Sequence, residues 1–332
     1  MGKILLPLAL LLILFVWFYG EKQTDYPVRL NQTPVRIAVS TSLLSAPVII
    51  ADKLEFFARE GIYVVLHPLQ GGDICFEALV NHRADLATSS ESVVMFNSFK
   101  RTDFTVLASF AESDNDIKLL TLSQSGITTP AQLDGKRVGI VTGSASEYFL
   151  DTILNIVGPP TITPIRVNIR PSDLAPALLA GDVDAISVWE PYSFQLLKQH
   201  PGEINQFSSR GLHSLSFNLI SRKTDNQVFY EHHVRILKAL KRASEFIVLH
   251  PEEANRVVAD FLQVPTEEIA ALWPDYLFRL SLGNSLLSNL QSQGRWAMSS
   301  GTITAKQLPD FRSVIDPVPL DQVQHMSLVE RR

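Results

Sequence analysis

Apolar positions along the chain fall into two alternating patterns, short continuous runs and stretches with a three-to-four-residue period. "VRIAVS" (35–40) reads as a strand, and "PVIIADKLEFFARE" (47–60) as a helix stopped by Gly61. "IYVVLH" (62–67) is a second strand, followed by the turn "QGGD" and a helix through Ala78 and Leu79. "ADLATSS" (84–90) is a third, short strand and loop. Strand–helix–strand order at this spacing predicts right-handed crossovers and a mainly parallel sheet. A second series begins near residue 126. Thr129-Pro130-Ala131-Gln132 is a capping box with proline at the first helical position. "KRVGIV" (136–141) is a strand, "SASEYFLDTILNIV" (144–157) a helix ended by Gly158, and a further strand lies near 165–169. "SDLAPALLA" (172–180) is a helix ended by Gly181.

The next segment is "GDVDAISVWEPY" (181–192). The apolar run Ala185 to Val188 passes without a break into Trp189, Glu190, Pro191 and Tyr192. Two aromatics, an acid and a ring that cannot extend a ladder make a costly turn, and suggest a strand that ends where something binds. The two series also resemble each other. Laid without gaps, "FEALVNHRADLATSSE" (76–91) matches "APALLAGDVDAISVWE" (175–190) at Ala78/Ala177, Leu79/Leu178, Asp85/Asp184 and Glu91/Glu190. Both read helix, polar turn, aspartate, short apolar strand, glutamate, and predict two similarly built α/β lobes. The remainder is mostly helical. "HHVRILKALKRASEFIVLH" (232–250) sets Ile236, Leu237, Leu240, Ala243 and Ile247 on one stripe. Pro251 opens another helix, "TEEIAALWPDYL" (266–277) opens a third, and 286–300 reads as helical. This long tail is expected to fold back on the first lobe.

The N-terminus changes the picture of where the body works. Lys3 precedes an apolar run from Ile4 to Tyr19 broken only by Pro7. At about 16 residues, the run lies between a signal-peptide core and a membrane span. The body is therefore expected to be exported, with 1–20 either a cleaved signal peptide or an anchor. Bulky Phe18 makes a poor cleavage site. No cysteine follows the run that could carry a lipid, and 21–33 reads as a polar tether.

Over 332 residues the composition is globular, 46% hydrophobic and 19% charged, with a formal net charge of −5. No basic block stands out, which argues against nucleic acid. The single cysteine, Cys75, excludes an internal disulfide and argues against a zinc or iron–sulfur site; it is expected to be buried. His232 and His233 are adjacent, point to different helix faces and read as solvated. No metal or cofactor is called for.

The stretches "SAPVIIADKLEFFAREGIYVVLHPLQGGDICFEALVNHRADLATSSE", "SGITTPAQLDGKRVGIVTGS" and "LLAGDVDAISVWEPY", in that order, resemble the periplasmic substrate-binding proteins of ABC transporters. The branch is the one for nitrate, alkanesulfonates, taurine and thiamine-precursor pyrimidines, and the resemblance covers roughly 34–316. It implies a type II fold, with two α/β lobes joined by a two-stranded hinge and a ligand between them. Lobe one would be 34–122 plus 216–316, lobe two 123–215, and 317–332 a C-terminal tail. It further implies a non-enzymatic, monomeric protein that delivers its ligand to an ABC permease. A membrane-anchored sensory module is the alternative. A pyrimidine-precursor synthase is disfavoured, because those enzymes resemble this fold with a cysteine-rich metal motif.

In open parallel sheets ligands sit outside the C-terminal strand ends, which selects the candidate contacts. Gly71 and Gly72 allow close backbone approach at a helix start, or form a plain turn capped by Asp73. Gly143 and Ser144 occupy the same place in lobe two, with an N-cap serine as the plainer reading. Ser42, Ser89 and Ser90 follow lobe-one strands. Trp189 and Tyr192 offer apolar faces with polar tips, and Glu190 either accepts from ligand or anchors a loop. Trp273 and Trp296 are expected to lie away from the cleft. His213, Arg170 and Arg210 are the candidate cations, and the ligand itself is left open among sulfonates, nitrate and pyrimidines.

Overall fold

The first series folds as the pattern predicts, with the ends of elements adjusted. A computed structural model describes residues 33–157, 162–208, 210–225 and 229–329. The expected signal or anchor, the tether up to Gln32, and Gly158 lie outside the described residues. β1 (Val35–Ser40) leads into α1 (Ala46–Lys53) and α2 (Phe56–Arg59), then β2 (Val64–Leu69), α3 (Gly72–Val80), β3 (Leu86–Ser90), α4 (Glu91–Ser98) and β4 (Phe104–Ser113). The single helix expected over 47–60 is broken at Glu55, which is left-handed with φ 60°. The second series comprises β5 (Ile117–Leu122), β6 (Arg137–Ile140), α5 (Ala145–Val157), β7 (Ile165–Asn168), α6 (Pro171–Ala180), β8 (Ala185–Trp189), α7 (Tyr192–Gln199) and β9 (Ile204–Ser208). The chain returns through β10 (Leu215–Arg222), α8 (Tyr230–Leu249), α9 (Pro251–Leu262), α10 (Thr266–Leu272), β11 (Tyr276–Ser281), α11 (Asn284–Ser299) and α12 (Val318–Val329).

Two sheets carry the lobes. The first has the order β11-β4-β10-β3-β1-β2 and the second β7-β6-β8-β5-β9. In each, three strands run parallel in the same relative order. Antiparallel strands are added on one side, so both sheets are mixed. β5 was grouped with lobe one by the boundary at 122, yet it pairs with β8 and β9 inside the second sheet. The chain thus crosses between lobes at 114–116 and again between β9 and β10. The crossing strands are neighbours in both sheets, β4 with β10 and β5 with β9. Hydrogen-bonded pairing between strands 82–118 positions apart leaves no local period to mark these crossings.

The inner part of β1, Ile37 to Val39, is apolar on both faces because helices cover both faces of its sheet. Ile37 and Val39 join the core under α1 and α8, while Ala38 between them joins the core under α3, α4 and α11. Leu119 and Leu120 divide the same way in β5. The α8 stripe of Ile236, Leu237, Leu240, Ala243 and Ile247 is buried as its period requires. His233, expected to be solvated, is also buried, near Ser221 Oγ, and burial pushes its imidazole down to about 4. The helix expected over 266–277 stops at Leu272, because Pro274 cannot continue it; Tyr276 to Ser281 instead form a strand on β4. Beyond 317, α12 packs against α8, and Ile315 bridges Val106.

The two series superimpose in detail at the base of each sheet. Arg36 donates from its backbone N (2.9 Å) and guanidinium (2.8 and 3.0 Å) to Asp85, and from Nη2 to the His82 carbonyl. Arg137 donates from its backbone N (2.8 Å) and guanidinium to Asp184, and from Nη2 to the Gly181 carbonyl. The acceptors occupy matched positions in the gapless overlay, and His82 and Gly181 are both left-handed.

Candidate functional site

The C-terminal ends of five parallel strands, from both sheets, converge on one pocket. β1 supplies Ser40 and the following Ser42 and Leu44; the start of α3, after β2, supplies Gly72 and Asp73; β3 and α4 supply Ser90 and Val93. From lobe two come Ser144 and Ala145 after β6, and Trp189 at the end of β8. Asp116 and Ile117 on one crossing, with Leu215 and Phe217 at the start of β10, close the floor. The pocket has an empty volume of about 380 Å³, its mouth included.

Of the residues expected from sequence, Ser42, Gly72, Ser90, Ser144 and Trp189 are brought together here; Gly71, Ser89, Gly143, Glu190 and Tyr192 are not among the lining residues. Most of those outside it hold the site in shape. Gly71 has φ 107°, which an L side chain rarely adopts, and a Cβ there would meet Asp73 Oδ1 at 2.4 Å. Ser89 Oγ donates to the Gly72 carbonyl at 2.8 Å. Gly143 N donates to Glu147 Oε2 at 2.9 Å. Tyr192 sets its ring edge-on to Trp189, with centroids 6.5 Å apart.

Glu190 is a structural anchor. Only 1% exposed, it accepts from Lys118 Nζ (2.9 Å) through Oε1 and from Phe194 N (2.8 Å) through Oε2. Lys118 is on β5, so the pair ties β8 to the crossing strand. Glu91, its counterpart in the overlay and fully buried, does the same in lobe one, accepting from Ser216 N of β10 at 2.7 Å, with His213 Nε2 and Gln293 Nε2 on its other oxygen.

The hydroxyls divide by what they already hold. Ser144 Oγ donates to the Val141 carbonyl (2.7 Å) and accepts from Ser146 N (3.1 Å), and Ser90 Oγ accepts from Val93 N, so both act as helix caps. Ser42 Oγ is buried and has no hydrogen-bond partner among the described residues.

Two carboxyls line the pocket. Asp116, 1% exposed, accepts from Tyr276 Oη at 2.6 Å. Burial pushes it up to about 7, with the charges of Glu190 and Glu91 adding to the rise and Tyr276 and Lys118 opposing it. Burial also raises Asp73 above the usual carboxylate range. Asp116 was missed in the sequence; the polar break "SDND" between two apolar runs was its only signal. The three candidate cations do not line the pocket. His213 meets Glu91, and Arg210 pairs with Asp275.

The lobes touch on both sides of the pocket. Trp296 Nε1 on α11 donates to Asp151 Oδ2 on α5 at 3.2 Å, and Gln195 Nε2 on α7 donates to Glu268 Oε1 on α10 at 3.1 Å. Trp296, expected to lie away from the cleft, is therefore at the lobe interface, with the Tyr148 ring against it at 4.9 Å. Among the described residues, no group of three or more His, Cys, Asp or Glu could hold a metal ion. Cys75 is buried, and burial raises its thiol.

Known proteins supply the context for this geometry. A family model described as NMT1/THI5 like matches residues 44–254. A Bacillus subtilis (strain 168) protein, provisionally named an aliphatic sulfonates-binding protein, is 29% identical over 235 residues, 68% of this chain and 69% of that protein. Among solved structures, the alkanesulfonate-binding protein SsuA from Xanthomonas axonopodis pv. citri, bound to MOPS, aligns with a TM-score of 0.75 at 17% identity, over 86% of this chain and 99% of that one. The desulfurization enzyme DSZB has the same fold, with a TM-score of 0.65 at 14% identity over 88% and 99%.

Proposed function

The chain belongs to the NMT1/THI5-like family, and from that premise we propose that a small molecule is captured against Ser42, Gly72, Ser90, Ser144 and Trp189 and released to an ABC permease. The protein is a periplasmic solute-binding protein of the type II fold, a binding protein rather than an enzyme. The observation that carries the site is the convergence of strand ends from both sheets on one pocket. A ligand held by both lobes stabilises their approach by its differential affinity for the closed form. The two crossings, paired as β4 with β10 and β5 with β9, are the hinge about which that approach occurs. Among the described residues no helix is long and apolar enough to cross a membrane. Residues 4–19, the expected signal or anchor, lie outside them.

Calorimetric titration with alkanesulfonates, nitrate and aminopyrimidines, on the wild type and on Trp189→Ala, tests the site. Trp189→Ala is expected to weaken binding by about 1–3 kcal/mol, the scale of one large buried side chain. It should also remove an indole fluorescence change that accompanies binding, leaving the smaller response of Trp296 at the lobe interface. Unchanged affinity in Trp189→Ala and in Ser42→Ala would place the solute elsewhere.

A further inference from the structure

Resting on the reading of this cleft as the solute site, we infer that the pocket selects a small organic cation, an ammonium or amidinium that presents N–H donors, and rejects anions. The first observation is the charge of the lining. Asp73 and Asp116 belong to it, and no lysine, arginine or histidine does. The basic groups nearby are already matched: Lys118 by Glu190, His213 by Glu91, Arg166 by Glu147 and Asp151, and Arg210 by Asp275. An anion entering here meets two carboxyls and no unmatched cation.

Helix N-termini are the usual alternative for holding an anion, since their free N–H groups and dipole favour negative charge. Three helices, α3, α4 and α5, begin at this pocket. Each carries its own carboxylate in the first turn, Asp73, Glu91 and Glu147 respectively. Glu147 takes the Gly143 N–H, and Glu91 and Glu147 are both buried. The positive ends of these three are therefore already compensated from within the protein, whereas the turn Leu43–Ser45 leading into α1 has no acid in its first turn.

An independent observation points to a polar ligand. Ser42, 2% exposed, lines the pocket with its Oγ unpartnered among the described residues. A buried hydroxyl without a partner calls for a polar ligand, and it can accept from an N–H donor as well as donate. Trp189 supplies an indole on the opposite lobe, the best aromatic partner for a cation. Burial holds both Asp73 and Asp116 above their usual range, and a positive ligand relieves that penalty.

Calorimetry on the full chain at pH 8, above the value of about 7 to which burial raises Asp116, separates the alternatives with three probes of one shape: benzamidinium, benzamide and benzenesulfonate. Benzamidinium is expected to bind at least about tenfold tighter than benzamide, and benzenesulfonate most weakly. Asp73→Asn and Asp116→Asn should each lower benzamidinium affinity about tenfold or more and leave benzamide unchanged. Benzenesulfonate binding as tightly as benzamidinium overturns the inference, as does benzamidinium affinity that neither variant moves, or no binding of benzamidinium. If benzenesulfonate binds and Trp189→Ala abolishes it, the cleft remains the solute site and only the charge preference falls. If benzamidinium binds with an affinity that Trp189→Ala, Asp73→Asn and Asp116→Asn all leave unchanged, the reading of the cleft itself falls.

Discussion

Replacing Glu190 by alanine leaves the Lys118 ammonium buried, with the Asn115 carbonyl as its hydrogen-bond acceptor and the Asp116 carboxyl within electrostatic reach. The two side chains are 7% and 2% exposed, so water cannot substitute for the missing carboxylate. Removing one partner of such a pair costs about 3–5 kcal/mol. The Phe194 N–H also loses its acceptor, which adds about 1 kcal/mol. A loss of about 4–6 kcal/mol is a large share of a typical stability of about 5–15 kcal/mol. Urea unfolding followed by circular dichroism measures it. Glu190→Gln keeps one acceptor oxygen but turns its amide NH2 toward the other donor, so it should lose only somewhat less than Glu190→Ala. The double change Lys118→Met with Glu190→Leu removes both charges and should recover most of the loss, because the pair's own attraction barely exceeds its desolvation. If Glu190→Ala costs less than about 1 kcal/mol and instead weakens ligand binding, the carboxylate contacts solute and the anchoring role is wrong.

Asp116 predicts a pH signature. Its carboxyl rises from 3.8 to about 7 on folding, so its contribution to stability is complete below about 4 and is lost as pH rises through about 7. Asp116→Asn should therefore gain on the wild type between pH 4 and pH 8, by up to about 4 kcal/mol. The groups acting on it are Tyr276, Lys118, Glu190 and Glu91, and all remain in the variant. Thermal unfolding at the two pH values checks this, and an equal difference at both contradicts it. Gly72→Ala should destabilise by about 1–3 kcal/mol, since the added Cβ would sit 2.9 Å from Ser89 Cα, a backbone atom that cannot yield cheaply. It should also weaken binding, read by titration, because Asp73 moves with the displaced helix start.

Much of the local structure was legible because its causes are local. β1 was legible from the apolar run Ile37 to Val39 between Val35 and Ser40. Gln132 Oε1 accepts from Thr129 N at 2.9 Å, as the capping box requires. The gapless overlay placed Asp85 and Asp184 correctly because each serves an arginine in the neighbouring strand's first turn of ladder. Trp189 was legible as a cleft residue from its place at a strand end. What escaped was long-range. Glu190 read as a possible ligand contact because its partner Lys118 is 72 positions away. Asp116 acquires its environment from Tyr276, 160 positions away, and from a crossing that no local period marks. Ser42 differs from Ser90 and Ser144 only in lacking a partner, which depends on the assembled pocket and not on the residue.

The twin arginine–aspartate clamps sit at the entry ends of the strands, and the pocket at their exits. Arg36 with Asp85 and Arg137 with Asp184 hold strand order without touching any residue that lines the pocket. The lobe is thereby modular along its own axis. Exit loops can be exchanged to change the cargo while the entry ends keep the scaffold in register. A protein engineer would randomise Ser42, Asp73, Ala145 and Trp189, and leave the clamps, Gly71, Gly72 and Glu190 alone.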